Sequence, residues 1–290
     1  MPNNQQAEKE RWLNVAIVQT VIDRKTAWEA GPRMAELEAE EALAQARDGF
    51  QQLADSPCLP HIVLLPELAL PRFALGDFSR LCESLGTIGI AGLDYQLDPA
   101  NRIVRNDAVV VIPWDWPDSG GYRRSRKLFV GKTHSAPVEE ALLLDKGWRF
   151  RPDPSLWLLD AGNFGRIGVC ICYDLMDIER SLLYRSQIHH LLVLSYNKDV
   201  EAFYALAGTL SRLVFCNVVI CNTGYYGNSA VISPYDKHWK RTLYQHKGRG
   251  LASVQIVRLP VAGLDAAQHG IPAEDAEEAL KPPPPGFGTC

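Results

Sequence analysis

The sequence predicts an α/β or layered α+β protein in which helices cover the outer faces of paired sheets. Three observations carry this. Short β-branched or Leu-rich runs recur with turn residues between them. Some runs are continuously apolar, such as Ile-Val-Leu-Leu at 62–65 and Val-Val-Ile at 218–220, as strands covered on both faces are. Helical apolar stripes lie between some of the strands, which fits helices packed outside the sheets better than an open barrel.

The strand pattern predicts about ten strands: Leu13 to Gln19, His61 to Leu65, Ile88 to Leu93, Asp107 to Ile112, Ser155 to Leu159, Arg166 to Cys172, Leu191 to Ser195, Asn217 to Cys221, Ser229 to Ile232 and Leu251 to Val257. One helix is expected to open at Pro32, just after Gly31, with Ala39, Leu43, Ala46, Phe50 and Leu53 forming its apolar stripe. A second is expected to be capped by Asp199, with Phe203, Leu206, Leu210 and Leu213 on one face. No fixed-period repeat and no Pro/Gly-rich linker interrupts residues 12 to 260, which predicts one domain. We expect a polar tail over residues 1–11, a domain over 12–263 and an extended tail over 264–290. The last has a Glu/Ala helix pattern around Ala273 to Leu280, then Pro282 to Pro285. It is expected to cross the body or a neighbouring subunit, or to stay disordered.

The 290 residues are 47% apolar, which is material for a sizeable core and excludes disorder throughout. Thirty Lys and Arg against 34 Asp and Glu give a net charge of −4, so no broad electrostatic case exists for nucleic acid or an anionic membrane. The short basic cluster Arg123, Arg124, Arg126 and Lys127 reads as a solvated face of a strand or loop, with carboxylate binding as the alternative. Seven scattered cysteines in a chain of this size fit a reducing compartment. Met1 to Arg11 lack the apolar stretch of a signal peptide, and no later run reaches the ~20 residues that span a bilayer. The expectation is a cytoplasmic protein.

Several motif readings fail. Gly131-Lys132-Thr133 lacks the glycine five residues earlier that a phosphate loop needs, since Arg126 stands there. Gly86, Gly89 and Gly92 have the wrong spacing for a dinucleotide loop, and Gly227-Asn-Ser229 lacks the second glycine of a serine-hydrolase elbow. Cys170-x-Cys172 and His189-His190 are not spaced as structural zinc ligands, and alternation on a strand would point both sulfurs to one side.

What remains is a carboxylate, an amine and a thiol where buried strands run out: Glu67, Lys132 and Cys172. Strand ends are where α/β proteins collect active sites. Singly, each has an ordinary role: a solvated or ion-paired Glu, a surface Lys, an inert core Cys. Together they suffice for nucleophilic acyl transfer, with Glu67 and Lys132 able to serve a thiol of reference pKa near ~8.5. The charged turn Asp174, Glu179, Arg180 after Cys172 is more than a structural strand end requires.

At these residues the chain resembles the nitrilase superfamily of carbon–nitrogen hydrolases. The matching pieces, in family order from about residue 12 to 260, are Leu13-Asn-Val-Ala-Ile-Val-Gln19, Leu64-Leu-Pro-Glu67-Leu, Lys132-Thr-His-Ser-Ala-Pro-Val-Glu139, and Gly168-Val-Cys-Ile-Cys172-Tyr-Asp174. They continue with Leu192-Val-Leu-Ser195, Val218-Val-Ile-Cys-Asn222-Thr-Gly224 and Gly227-Asn-Ser229-Ala-Val-Ile-Ser-Pro234.

The resemblance implies an α/β four-layer αββα sandwich and a carbon–nitrogen hydrolase domain. It implies Glu67 as general base, Lys132 stabilising the tetrahedral intermediate, Cys172 as nucleophile and Glu139 as a positioning glutamate. Glu140 rivals Glu139, and Lys127 rivals Lys132. The oxyanion would rest on Lys132 and the backbone N–H of Tyr173, while Tyr196 and Asn197 would line the pocket or only close a loop. Pocket walls are expected from Leu70 to Phe73, Tyr122, Ala141 to Lys146 and Tyr196 to Val200.

No metal or organic cofactor is expected, the partner is a small amide substrate, and family habit implies a homodimer or larger homo-oligomer. Cys172-Tyr173-Asp174 is similar to the amidase and carbamoylase branches, so an amide or carbamoyl amide is expected over a nitrile. The membrane-bound acyltransferase branch lacks support. The family commonly continues Asp-x-x-Phe-Pro-Glu-x-x-Arg, whereas here the proline is missing and Arg180 arrives two places early. That turn is expected to shape the pocket and the dimer face. The competing expectations are a binding or regulatory subunit without turnover, and a thiol redox or metal protein using Cys170 and Cys172.

Overall fold

A computed structural model describes residues 9–118, 124–273 and 275–288; Tyr122, Arg123 and Cys290 lie outside them. The chain runs β1 (Trp12–Gln19), α1 (Arg24–Ala27), α2 (Glu36–Ala54), β2 (Ile62–Leu64), α3 (Leu75–Leu85), β3 (Ile88–Gly92), β4 (Gln96–Asp98), β5 (Ile103–Arg105), β6 (Asp107–Pro113), β7 (Ser125–Gly131) and α4 (Pro137–Asp145). It continues with β8 (Arg149–Phe150), β9 (Leu158–Asp160), β10 (Arg166–Ile171), α5 (Ile178–Tyr184), β11 (His190–Ser195), α6 (Val200–Leu210), β12 (Asn217–Asn222), β13 (Ser229–Ile232), β14 (Thr242–His246), β15 (Ser253–Pro260) and α7 (Ala262–Gln268).

Two six-stranded sheets result, in the orders β15-β1-β2-β3-β6-β7 and β14-β13-β12-β11-β10-β9, with β4-β5-β8 as a small third sheet. Alternation along the strands builds the layers. Leu13, Val15, Ile17, Ile62, Leu64, Ile90 and Val110 of the first sheet join Val169, Ile171, Leu192, Leu194 and Val219 of the second in one buried cluster. The opposite face of the first sheet, with Ala16, Val18, Val63 and Val109, packs on the α2 stripe Ala39, Leu43, Ala46, Phe50 and Leu53 and on Phe78 and Cys82 of α3. Beyond the second sheet lie α5 and α6. Gly168 of β10 admits the Tyr184 ring of α5 so closely that an added Cβ would meet it at 2.8 Å. The Tyr184 hydroxyl donates to the Val169 carbonyl at 3.3 Å. The four αββα layers are therefore present.

Departures from expectation have local causes. Helix α2 starts at Glu36 rather than Pro32, because the Met34 amide donates to Asp94 at 2.9 Å and the Ala35 amide to the Ala27 carbonyl at 2.7 Å. The Ser155 to Leu159 strand shortens to β9, since the Ser155 amide turns onto Asp153 at 3.0 Å. Asp199 caps α6 as expected, but the helix loosens into a π turn over Ser211–Phe215 that leaves Leu213 exposed. Ala273 to Leu280 forms no helix among the described residues. Instead Leu280 bridges Tyr235, the Asp236 amide donates to the Ala279 carbonyl at 2.9 Å, and Phe287 packs on Phe215 with centroids 5.6 Å apart. Helix α7 crosses position 263, and its Leu264 is fully buried.

Candidate active site

Strand ends of both sheets deliver the three candidate groups to one place. Glu67 follows β2 in a loop held against β3: the Gly92 amide donates to the Pro66 carbonyl at 3.0 Å, and a Cβ on Gly92 would lie 2.4 Å from the Glu67 Cα. Lys132 follows β7, its amide donating to the Asn106 carbonyl at 2.8 Å. Cys172 follows β10 at the start of a 3-10 turn, Cys172–Met176, with φ of +49°, a left-handed conformation that costs a non-glycine residue energy. Cys172 therefore stands outside β10, and strand alternation does not describe its position. Cys170 stays in β10, whereas Cys172 lines the cavity that Glu67 also lines. The first amides of such a turn, Tyr173 among them, have no carbonyl behind them to bond.

Lys132 is buried between two carboxylates, with Nζ 2.7 Å from Glu67 Oε1 and 2.5 Å from Glu139 Oε2. Asn106 Nδ2 donates to both acids, at 2.8 Å to Glu67 Oε1 and 3.1 Å to Glu139 Oε1. The Tyr95 hydroxyl donates to Glu139 Oε1 at 2.9 Å, and the Tyr196 amide to Glu67 Oε2 at 2.9 Å. Ser195 Oγ donates to Cys172 Sγ at 3.8 Å. Of the rivals, Lys127 is exposed on β7, and Glu140 is exposed with only the Ser135 hydroxyl on it at 3.3 Å.

The electrostatics follow from burial. Desolvation pushes the Glu67 carboxyl above its usual range, opposed by Lys132 and reinforced by the Glu139 charge. Burial also raises the Cys172 thiol, and the Glu67 carboxylate raises it further. Desolvation works against the Lys132 ammonium, but Glu139 and Glu67 outweigh it and hold Lys132 charged. Burial likewise opposes the Glu139 charge, yet Lys132, Asn106 and Tyr95 bring it below the usual carboxylate range. Burial and mutual charge thus favour a cationic Lys132 and an anionic Glu139, and hold Glu67 and Cys172 above their ordinary ranges.

A cavity of about 510 Å³ opens onto Glu67, Lys132, Glu139 and Cys172. Tyr173, Tyr196 and Asn197 line it, as do Leu142, Leu143, Lys146 and Lys198. Leu70 to Phe73, expected as wall, do not: Leu70 is fully buried and Arg72 pairs with Asp107. The sequence missed Asn106 and Tyr95, as well as Trp28, whose ring stands against both Tyr95 and Tyr196 at centroid distances of 6.3 and 5.9 Å. Asn197 is anchored from behind, its amide donating to Asn222 Oδ1 at 2.9 Å.

The charged turn after Cys172 is a brace. Asp174 accepts the amides of Thr133 at 3.1 Å and His134 at 2.8 Å, tying the lysine loop to the cysteine turn. Arg180, buried despite its early position, donates to the Thr133 hydroxyl and to the Ser155 carbonyl, the latter at 3.4 Å. Among the described residues no group of three or more His, Cys, Asp or Glu could hold a metal, and no helix is long and apolar enough to cross a membrane.

No family model and no curated protein matches the sequence. Solved structures do match. A mutant of the amidase from Nesterenkonia sp. AN1, bearing the acetamide moiety of fluoroacetamide on its active-site cysteine, superposes with a TM-score of 0.64 at 13% identity, covering 86% of this chain and 90% of that one. Another mutant of that amidase, in complex with butyramide, gives 0.64 at 14% identity, covering 87% and 93%. The fold is that of the carbon–nitrogen hydrolases. A superfamily protein from Xanthomonas campestris with an arsenic adduct in its active site shares this carbon–nitrogen hydrolase fold, with a TM-score of 0.62 at 14% identity, covering 90% and 95%.

Proposed function

We propose that this chain hydrolyses a non-peptide carbon–nitrogen bond, an amide or carbamoyl amide, through a thioester on Cys172. The observation that carries the reading is that Glu67, Lys132 and Cys172 line one cavity, with the Lys132 ammonium 2.7 Å from the Glu67 carboxylate. Glu67 takes the thiol proton, and the thiolate attacks the substrate carbonyl carbon. The oxyanion is met by the Lys132 ammonium and the Tyr173 N–H, and Glu139 holds Lys132 in place. Collapse expels the amine, which takes the proton from Glu67. A water then loses a proton to Glu67 and attacks the thioester; as the acid forms, the departing thiolate recovers that proton. These residues, substrate and water account for every proton and electron pair in the cycle.

The raised Glu67 pKa suits the first step, because a weaker acid is a stronger base toward the thiol proton. The reading includes action in the cytoplasm on a small substrate by a homodimer or larger assembly.

A chloroacetamide-type electrophile tests it. It should label Cys172 far faster than Cys58, the exposed thiol, although Cys172 is almost buried. Turnover of simple amides should vanish in Cys172→Ala. Equal labelling of the two cysteines, or activity kept in Cys172→Ala, would end the reading in favour of a subunit that binds without turnover.

A further inference from the structure

The geometry points to an amide substrate that carries a carboxylate at the end remote from its scissile bond. This rests on the hydrolase reading and names the substrate class of that site. Outside the Glu67–Lys132–Glu139 cluster, the charged residues lining the cavity are Arg24, Lys25, Lys146 and Lys198 against the single carboxylate of Glu29. They come from separate stretches: the first two from α1, Lys146 from the C-terminal cap of α4, and Lys198 from the loop after β11.

None of the four has a carboxylate within ion-pairing distance among the described residues. Lys146 Nζ does donate to Glu29, but to its backbone carbonyl. In a chain of net charge −4, a rim with a surplus of three positive charges runs against the overall balance. Cations converging on a cleft with low-dielectric walls focus their field into it and favour an anion there.

The body of the cavity defines the rest of the ligand. Trp28, Tyr95, Tyr196 and Tyr226 make an aromatic wall, faced by Leu142 and Phe203. A volume of about 510 Å³ is in the range of sites that enclose a drug-sized molecule, so a two- or three-carbon amide would leave most of it to water. The structure therefore suits an amide at the Cys172 end, a flat or branched hydrocarbon body along the aromatic wall, and an anion at the rim.

The probes are 4-carboxyphenylacetamide, its neutral methyl ester and 4-(aminomethyl)phenylacetamide, titrated calorimetrically into Cys172→Ala. The acid should bind ~10-fold more tightly than the ester, a gap set by several partly screened charges, and the amine most weakly. The preference should shrink in Lys25→Glu/Lys198→Glu and in 0.5 M salt, but persist in Lys237→Glu, a charge change outside the cavity lining. Equal affinity for acid and ester, tighter binding of the amine, or no measurable binding of any probe overturns the inference. Turnover by the wild-type enzyme is read separately. Acid-selective binding without hydrolysis would sink the hydrolase reading alone, and hydrolysis without acid preference would sink this one alone.

Discussion

Two buried polar clusters sit at opposite ends of the same parallel strands, and the one around Cys172 faces a cavity. At the start of β11, His190 is fully buried; it is bonded to the Phe164 carbonyl at 3.0 Å through Nε2 and to Asn217 Nδ2 at 3.0 Å through Nδ1. Its neighbour His189 accepts the Arg166 amide at 3.0 Å and meets Asp265 at 3.0 Å. At the end of β11, roughly 17 Å along the strand, Ser195 meets Cys172. Both clusters are rich in titratable groups and both are marked in the sequence. The histidine corner spends all its ring nitrogens on protein partners, and burial pushes His190 down to about 3, so it is a neutral structural lock. The other cluster keeps its charges, a left-handed cysteine and an open side. Buried titratable groups alone do not make a reaction centre; the proposed mechanism also needs groups not locked onto protein partners and a cavity beside them.

That contrast predicts opposite phenotypes, and the largest concerns Lys132. In Lys132→Met two buried carboxylates lose their shared cation, so amide turnover should fall by about 10²–10³-fold through the lost oxyanion partner. Stability should fall as well, by about 3–5 kcal/mol, unless one acid binds a proton. Steady-state kinetics and urea melts check both. If turnover stays within a factor of a few, Lys132 is only a structural counter-ion and the two clusters do not differ in kind.

For His190→Ala the balance should reverse. On the proposed function, the folded protein should keep its kcat, while stability drops by about 2–4 kcal/mol from the lost packing and the unpaired Asn217 and Phe164 groups. A linked pH effect follows. The His190 pKa is lower in the fold than in the unfolded chain, so its contribution is fully present above about pH 6.5. It is lost as pH falls toward about 3, where the unfolded chain binds the extra proton first. Protonation would also place a hydrogen on the nitrogen that accepts from Asn217. Melts of the wild type from pH 7 to 4 should therefore be steeper than those of His190→Ala. Parallel curves would remove the histidine from the acid sensitivity.

The same contrast shows what a single sequence reveals. Glu67 and Cys172 are legible because each follows a buried strand with a charged or reactive side chain, a local anomaly; Lys132 follows β7, of which only the last two residues are buried. The two sheets and the α2 stripe are legible from the 2.0 and 3.6 periods. Asn106 and Tyr95 are not, since their partners lie 33 to 44 residues away and Arg105-Asn106-Asp107 reads as an ordinary polar turn. Strands β4, β5 and β8 are only two or three residues long, too short for any period to register. The half-buried β14 carries no buried face to mark it. Conversely, Cys170 and Cys172 look like strand alternation because the left-handed turn at Cys172 leaves no glycine as a sign.

Asn106 offers a sharper probe of the proton path. Its amide stabilises the charged forms of both acids, so Asn106→Leu removes a donor from each and should raise the Glu67 pKa further above the usual carboxylate range. The proposed mechanism needs Glu67 deprotonated before substrate binds. The acid limb of kcat/KM should therefore move up by about one pH unit, while KM changes little. A fall in rate at all pH values with an unmoved limb would mean that the Asn106 side chain positions the two acids without setting the Glu67 pKa.

Tyr95→Phe is the smallest step and isolates the second carboxylate from the first. The hydroxyl touches Glu139 alone, and Glu139 keeps Lys132, Asn106 and the Ala136 amide at 3.2 Å as partners, so its charge is not endangered. Losing one of several hydrogen bonds to a charged group should cost about 1 kcal/mol of positioning, a roughly three- to ten-fold fall in kcat, with no displacement of the acid limb. A displaced limb would show that Glu139 and Glu67 titrate as one unit through Lys132. The division into a fixed anion and a working base would then give way to a shared proton across all three groups.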